Sequence, residues 1–78
     1  MNTRQKNIIG ARVRQARKNA KPPVTQIDLV ARLEILGMNV DQSIISKIES
    51  GQRPVYDYEV SVLAKALKVS VEWLMGEG

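Results

Sequence analysis

The stretch Asp41-Gln-Ser-Ile-Ile-Ser-Lys-Ile-Glu-Ser-Gly51 carries the signals for one short helix with its own start and stop. Asp41 can accept hydrogen bonds from the free backbone N–H groups of a first turn. Val40 and Ile45 hold the two positions of a hydrophobic staple. Gly51 can adopt the left-handed conformation that ends a helix. Ile45 and Ile48 are three apart and share a face. Gln42, Ser43, Ser46 and Lys47 fall mostly on the other. A helix anchored by two isoleucines, with amides, hydroxyls and a lysine turned outward, suits the base edges of a DNA major groove.

Four further helical patterns flank this one. Upstream, Ile9, Val13, Ala16 and Ala20 recur at helical spacing and predict a first helix from about Thr3 to Ala20. Lys21-Pro22-Pro23 ends it, because proline lacks an N–H and disfavours helix in the residue before it. Thr25 and Asp28 form a capping-box-like pair at the start of a second helix, with Val24 and Leu29 as its staple. Leu29, Leu33 and Leu36 make its expected buried stripe, and Gly37 its stop. Downstream, Gln52 to Tyr56 reads as a loop. Asp57 is the expected cap of a fourth helix, in which Val60, Leu63, Ala64 and Leu67 share a face. Ser70 caps a short fifth helix with Glu72 in its first turn, where the helix dipole favours negative charge. No segment alternates as a strand does. The expected fold class is all-α, a single five-helix domain spanning 1–78.

Composition narrows the chemistry. The 78 residues suffice for one small core, and with no Phe that core must be aliphatic. There is no Cys and no His, which removes disulfides, Cys/His zinc sites and imidazole-dependent triads. No phosphate-binding glycine loop, metal-ligand cluster or activated nucleophile is visible, so an enzyme is not expected and no cofactor is implied. No apolar run approaches membrane-spanning length. Polar residues follow Met1 where a signal peptide would carry an apolar core. A cytoplasmic protein is the expectation. The net charge is +4, unevenly spread. Arg4, Lys6, Arg12, Arg14, Arg17, Lys18 and Lys21 all precede the first acidic residue, Asp28. Such a one-sign segment either attracts phosphate or forms a solvated basic helix face.

Four blocks recur together in one order: Ile9-Gly-Ala-Arg-Val-Arg-Gln-Ala-Arg-Lys18, Thr25-Gln26, Ile45-Ser-Lys-Ile-Glu-Ser-Gly51 and Ala66-Leu-Lys-Val-Ser-Val-Glu-Trp-Leu74. In these the chain resembles the phage-repressor and Cro-type (Xre-type) helix-turn-helix DNA-binding family over nearly its whole length. The resemblance implies a compact lambda-repressor-like domain, with the helix-turn-helix at about 25–50 and helix 42–49 in the major groove. It implies a sequence-specific transcriptional regulator, a repressor in the first instance, binding double-stranded DNA as a homodimer. Residues matching Gln42, Ser43, Ser46 and Lys47 face the bases in that family. Those matching Gln26, Ser50, Gln52 and Arg53 lie beside phosphates, and the basic first helix adds Arg14 to this set. The pair matching Arg17 and Glu49 links helix one to the end of helix three.

The chain departs from the family in its length and in one cap. Residues 34–39 lengthen helix two, its turn, or both, and Lys21-Pro22-Pro23 lengthens the connection before helix two. Asp41 also stands where Ser or Thr is common, and its carboxylate helps the helix but repels nearby phosphate. Ile44 either touches a thymine methyl or packs under the Met38 segment. In helix five, one small core cannot hide Val71, Trp73, Leu74 and Met75 together. The resemblance puts the family's dimer contacts there, so Val71, Trp73 and Met75 are the expected contact residues. The chain leaves little room for a small-molecule domain. A second reading, from a different class, is an antitoxin-like or bridging subunit whose main surface meets another protein.

Overall fold

Local capping sets where the helices begin. In a computed structural model, which describes residues 5–77, five α-helices follow in order: α1 (Gly10–Asn19), α2 (Gln26–Ile35), α3 (Gln42–Glu49), α4 (Asp57–Leu67) and α5 (Val71–Leu74). No strand occurs among the described residues. The chain is an all-α five-helix domain. Its radius of gyration, 11.4 Å, matches the value of about 11.5 Å expected for a tightly packed chain of this length. No helix among the described residues is long and apolar enough to cross a membrane.

The three caps expected at α2, α3 and α5 form. The Thr25 hydroxyl accepts from the Asp28 N–H at 3.0 Å, and the Asp28 carboxylate accepts from the Thr25 N–H at 3.1 Å. Asp41 accepts from the Ile44 N–H at 2.9 Å, and Ser70 from the Trp73 N–H at 3.0 Å. The α4 cap differs from expectation. Asp57 is already the first helical residue, and the Glu59 carboxylate accepts from the Tyr56 N–H at 3.0 Å.

Helix one is shorter than its apolar spacing predicts. Thr3 and Arg4 lie outside the described residues, but Gln5 to Ile9 are not helical. The reason is Asn7, whose Oδ1 accepts from the N–H groups of Ile9 and Gly10. Its Nδ2 donates to the Ile48 carbonyl at 3.1 Å and the Arg53 carbonyl at 2.8 Å. One side chain therefore starts α1 and ties it to the end of α3. Gly10 allows the close approach, because a Cβ there would collide with the Ile48 and Glu49 carbonyls.

The end of α2 also departs from the expected stripe. The Met38 N–H donates to the Leu33 carbonyl and the Gly37 N–H to the Glu34 carbonyl, the paired bonds of a Schellman turn. Gly37 sits at φ +90° to allow it. The turn sends Met38 into the core and leaves Leu36 outside, 44% exposed. Glu34 and Ile35 thus complete α2, and Leu36–Asn39 form the turn.

The core draws on every helix. Val13, Leu29, Leu33, Ile45, Ile48, Leu63 and Leu74 are fully buried, and no aromatic ring is among them. α3 packs on both α1 and α2, while α4 supports α1, α2 and α5. The outward face of α3 is left open.

Candidate nucleic-acid interface

The geometry of α3 follows from its two buried isoleucines. With Ile45 and Ile48 locked inward, Gln42, Ser43, Ser46 and Lys47 are all exposed. Ile44 is half-buried and packs against the core, which favours the packing role over a free outward position.

Beside this face lies a shallow concavity of about 370 Å³ where α1, α2 and α3 converge. Arg14 and Lys18 contribute from α1, Gln26 from α2, and Ser46 and Ser50 from α3 and its end. Five residues spread over 37 positions of sequence are thereby neighbours. Arg17 and Glu49 form its inner wall.

Arg17 and Glu49 make a two-pronged ion pair, Nε to Oε2 at 2.8 Å and Nη2 to Oε1 at 2.9 Å. Their side chains are only 10% and 6% exposed. The third arginine prong, Nη1, donates to the Val24 carbonyl at 3.0 Å, which fastens the proline loop to α1. Bonding to Glu49 holds the Arg17 pKa above its ordinary value, against the opposing pull of burial. The charge is fixed, and the glutamate beside the open face is neutralised by its partner.

The pair also reaches the outward amides. The Gln26 Nε2 donates to the Glu49 Oε1 at 3.2 Å, with a longer contact to the Ser46 hydroxyl. The Gln42 Nε2 donates to the Gln26 Oε1 at 3.2 Å. Arg17, Glu49, Gln26 and Gln42 are thus linked in one chain of hydrogen bonds. The two glutamines were each singled out in the sequence, but the bond between them was not.

The remaining residues singled out in the sequence differ in their surroundings. Gln52 and Ser50 are exposed at the end of α3. Arg53 is half-buried and already occupied. It forks onto Glu59 at 3.0 and 3.1 Å and donates to the Pro54 carbonyl. Its bonds to Glu59, opposed by burial, raise its pKa, and the same bonds hold the Glu59 carboxyl below the usual range. Arg12 turns toward α5, where it stacks 4.7 Å from the Trp73 ring centre and donates to the Trp73 carbonyl. In α5 and at its end, Leu74 is buried, Val71 is 41% exposed, and Trp73 and the following Met75 are half-buried.

Sequence reasoning missed Asn7 and the Arg53–Glu59 pair. The signal for the second was present: a glutamate at the third position of α4, where it also caps the helix. Comparison of the chain with protein-family models, with curated proteins and with solved structures finds no match.

Proposed function

We propose that the chain is a sequence-specific DNA-binding transcriptional regulator, acting as a repressor, with α2 and α3 as a helix-turn-helix. One observation carries this reading. Exposed Gln42, Ser43, Ser46 and Lys47 lie along α3, Ser46 lines a concavity with Arg14, Lys18 and Gln26, Gln42 bonds Gln26, and the wall acid Glu49 is paired with Arg17.

Each part has a task in this reading. Gln42 offers adenine an amide that can bond N6 and N7 together, and Lys47 reaches guanine or a phosphate. Gln26 orients Gln42 while meeting the backbone. Arg14, Lys18, Ser50 and Gln52 hold phosphates, which supply affinity without sequence information. Arg53 joins them through the donors that Glu59 and Pro54 leave free, or by giving up Glu59. No catalytic step and no cofactor belong to this reading, and cytoplasmic placement goes with it. A single helix reads too few base pairs for useful specificity in a genome. A homodimer through Val71, Trp73 and Met75 doubles the site and sets two α3 helices about 34 Å apart.

The test begins with selection of bound fragments from a genomic library. The enriched site and random DNA are then titrated across a range of salt. Log affinity should fall with log salt by about 0.9 for each phosphate neutralised. Gln42→Ala should lose about 1–3 kcal/mol on the enriched site and far less on random DNA. Val71→Glu should abolish cooperative binding to paired half-sites. Affinity that ignores salt, or the absence of any enriched site, would overturn the proposal. A second reading as a protein-interaction subunit gains support from exposed Ile27, Ile35 and Leu36 on and after α2.

A further inference from the structure

The molecule has a second concave feature. A shallow groove of about 310 Å³ lies between the end of α2 and the end of α4, lined by Arg32, Ile35, Leu36, Lys65, Ala66 and Lys68. It shares no residue with the concavity beside α3. Ala66 is buried and forms the floor, while Ile35 is 85% exposed and Leu36 44%. The exposure has a structural cause. Ile35 lies two positions past buried Leu33, so helix phase turns it outward, and the Schellman turn at Gly37 sends Met38 into the core in place of Leu36.

All charges lining the groove are positive. Lys65 and Lys68 are exposed. Arg32 donates through Nη1 to the Ala66 carbonyl at 3.0 Å, which fixes its guanidinium across the groove. Cations near helix ends are ordinary, since they complement the helix dipole. Two large aliphatic side chains held open between three of them are not needed for that purpose. A scattered apolar side chain on a surface needs no explanation, but an apolar floor rimmed by one sign of charge has a definite complement.

We propose that this groove is a docking site for an acidic amphipathic segment of another protein. The segment lays two apolar side chains against Ile35 and Leu36 and sets carboxylates beside Lys65 and Lys68. This is the helix-in-groove mode of recognition, with charge selecting the partner and the apolar pair anchoring it. The inference stands independently of DNA binding, because the two surfaces are disjoint.

Short helical peptides with a fixed two-leucine stripe test it, with flanking positions made all Glu, all Gln or all Lys. Each is titrated into the isotope-labelled chain and followed by amide shifts. The Glu peptide should bind about tenfold or more tightly than the Gln peptide, with the Lys peptide weakest. Shifts should centre on Ile35, Leu36, Lys65 and Ala66. Lys65→Glu should weaken the Glu peptide by about tenfold and Ile35→Gln should remove binding. Both side chains are exposed, so both variants should stay folded, with Lys65→Glu melting slightly below wild type because Lys65 lies in the last turn of α4. Equal binding by the three peptides, no binding, or shifts elsewhere would overturn the proposal. So would self-association abolished by Ile35→Gln, which would make the occupant a second copy. Loss of random-DNA affinity in Lys65→Glu would do the same by assigning the groove to nucleic acid.

Discussion

Two arginine–glutamate pairs flank α3, and they differ in what surrounds them. Arg17–Glu49 joins two helices at side-chain exposures of 10% and 6%. Arg53–Glu59 joins a loop to the helix that follows it, with Arg53 at 24% and Glu59 at 8%. Both are forked, and both fix a guanidinium. The first continues outward through Gln26 to Gln42, whereas the second ends at a helix cap. An arginine's chemistry is therefore set by how much water it keeps and what its partner touches next. Arg17 organises a surface, while Arg53 closes a loop.

Removing one partner from the drier pair should have the largest effect. Arg17→Met leaves a desolvated Glu49 and should cost about 3–5 kcal/mol in denaturant unfolding. That is enough to unfold much of so small a domain. The double variant Arg17→Met with Glu49→Leu should recover much of the loss, since two apolar side chains leave no stranded charge. A single variant as stable as wild type would mean that the pair is effectively solvated.

The wetter pair should matter less. Arg53→Met should cost about 1.5–3 kcal/mol at neutral pH, the range for hydrogen bonds to a charged group. This cost should depend on acid. The folded Glu59 carboxyl titrates below its unfolded value of about 4.3. Its stabilisation is complete above that value and is lost as pH falls through the lower folded value. Wild type and Arg53→Met should therefore converge in melting temperature as pH drops below about 4. A constant gap would mean that Arg53 acts through packing alone.

The same variant separates structure from DNA contact. If Arg53 serves only Glu59 in a DNA complex, its removal leaves the salt slope unchanged. A slope smaller by about 0.9 would show that it meets a phosphate.

The smallest effect belongs to Asp28, a fully exposed cap. The Thr25 N–H and hydroxyl hold its carboxyl below the usual range. Asp28→Asn should slightly lower the melting temperature at neutral pH, with the difference vanishing in acid. An effect as large as that of Arg53→Met would erase the ranking by burial.

What the sequence made legible divides along a physical line. The caps at Thr25, Asp41 and Ser70 join residues three apart, so their partners stand in the same short string of letters. The inward stripe of α3 was equally local. Asn7 was local only in part: it caps Ile9 and Gly10, two and three residues on, but its Nδ2 partners lie 41 and 46 positions away. The false start of helix one came from following the apolar spacing past that local cap. Leu36 kept the right spacing for burial, but spacing does not reveal that a turn will give its place to Met38. At the candidate site, the outward residues of α3 followed from periodicity. The pairing of Arg17 with Glu49 came from a resemblance, and the bond joining Gln26 to Gln42 came only with the fold.

The mooring of α3 is lopsided. Its base is held by Asn7 on the Ile48 carbonyl, by Arg17 on Glu49, and by the backbone of Gly10 lying against it. Its tip has the Asp41 cap and the exposed amide bond of Gln42. Helix three therefore has more long-range hydrogen bonds at its Glu49 end than at its Gln42 end. Deuterium uptake should reflect this as a gradient along the helix. Amides of the last turn should exchange only when α1 lifts away, and those nearest the tip should exchange through local fraying.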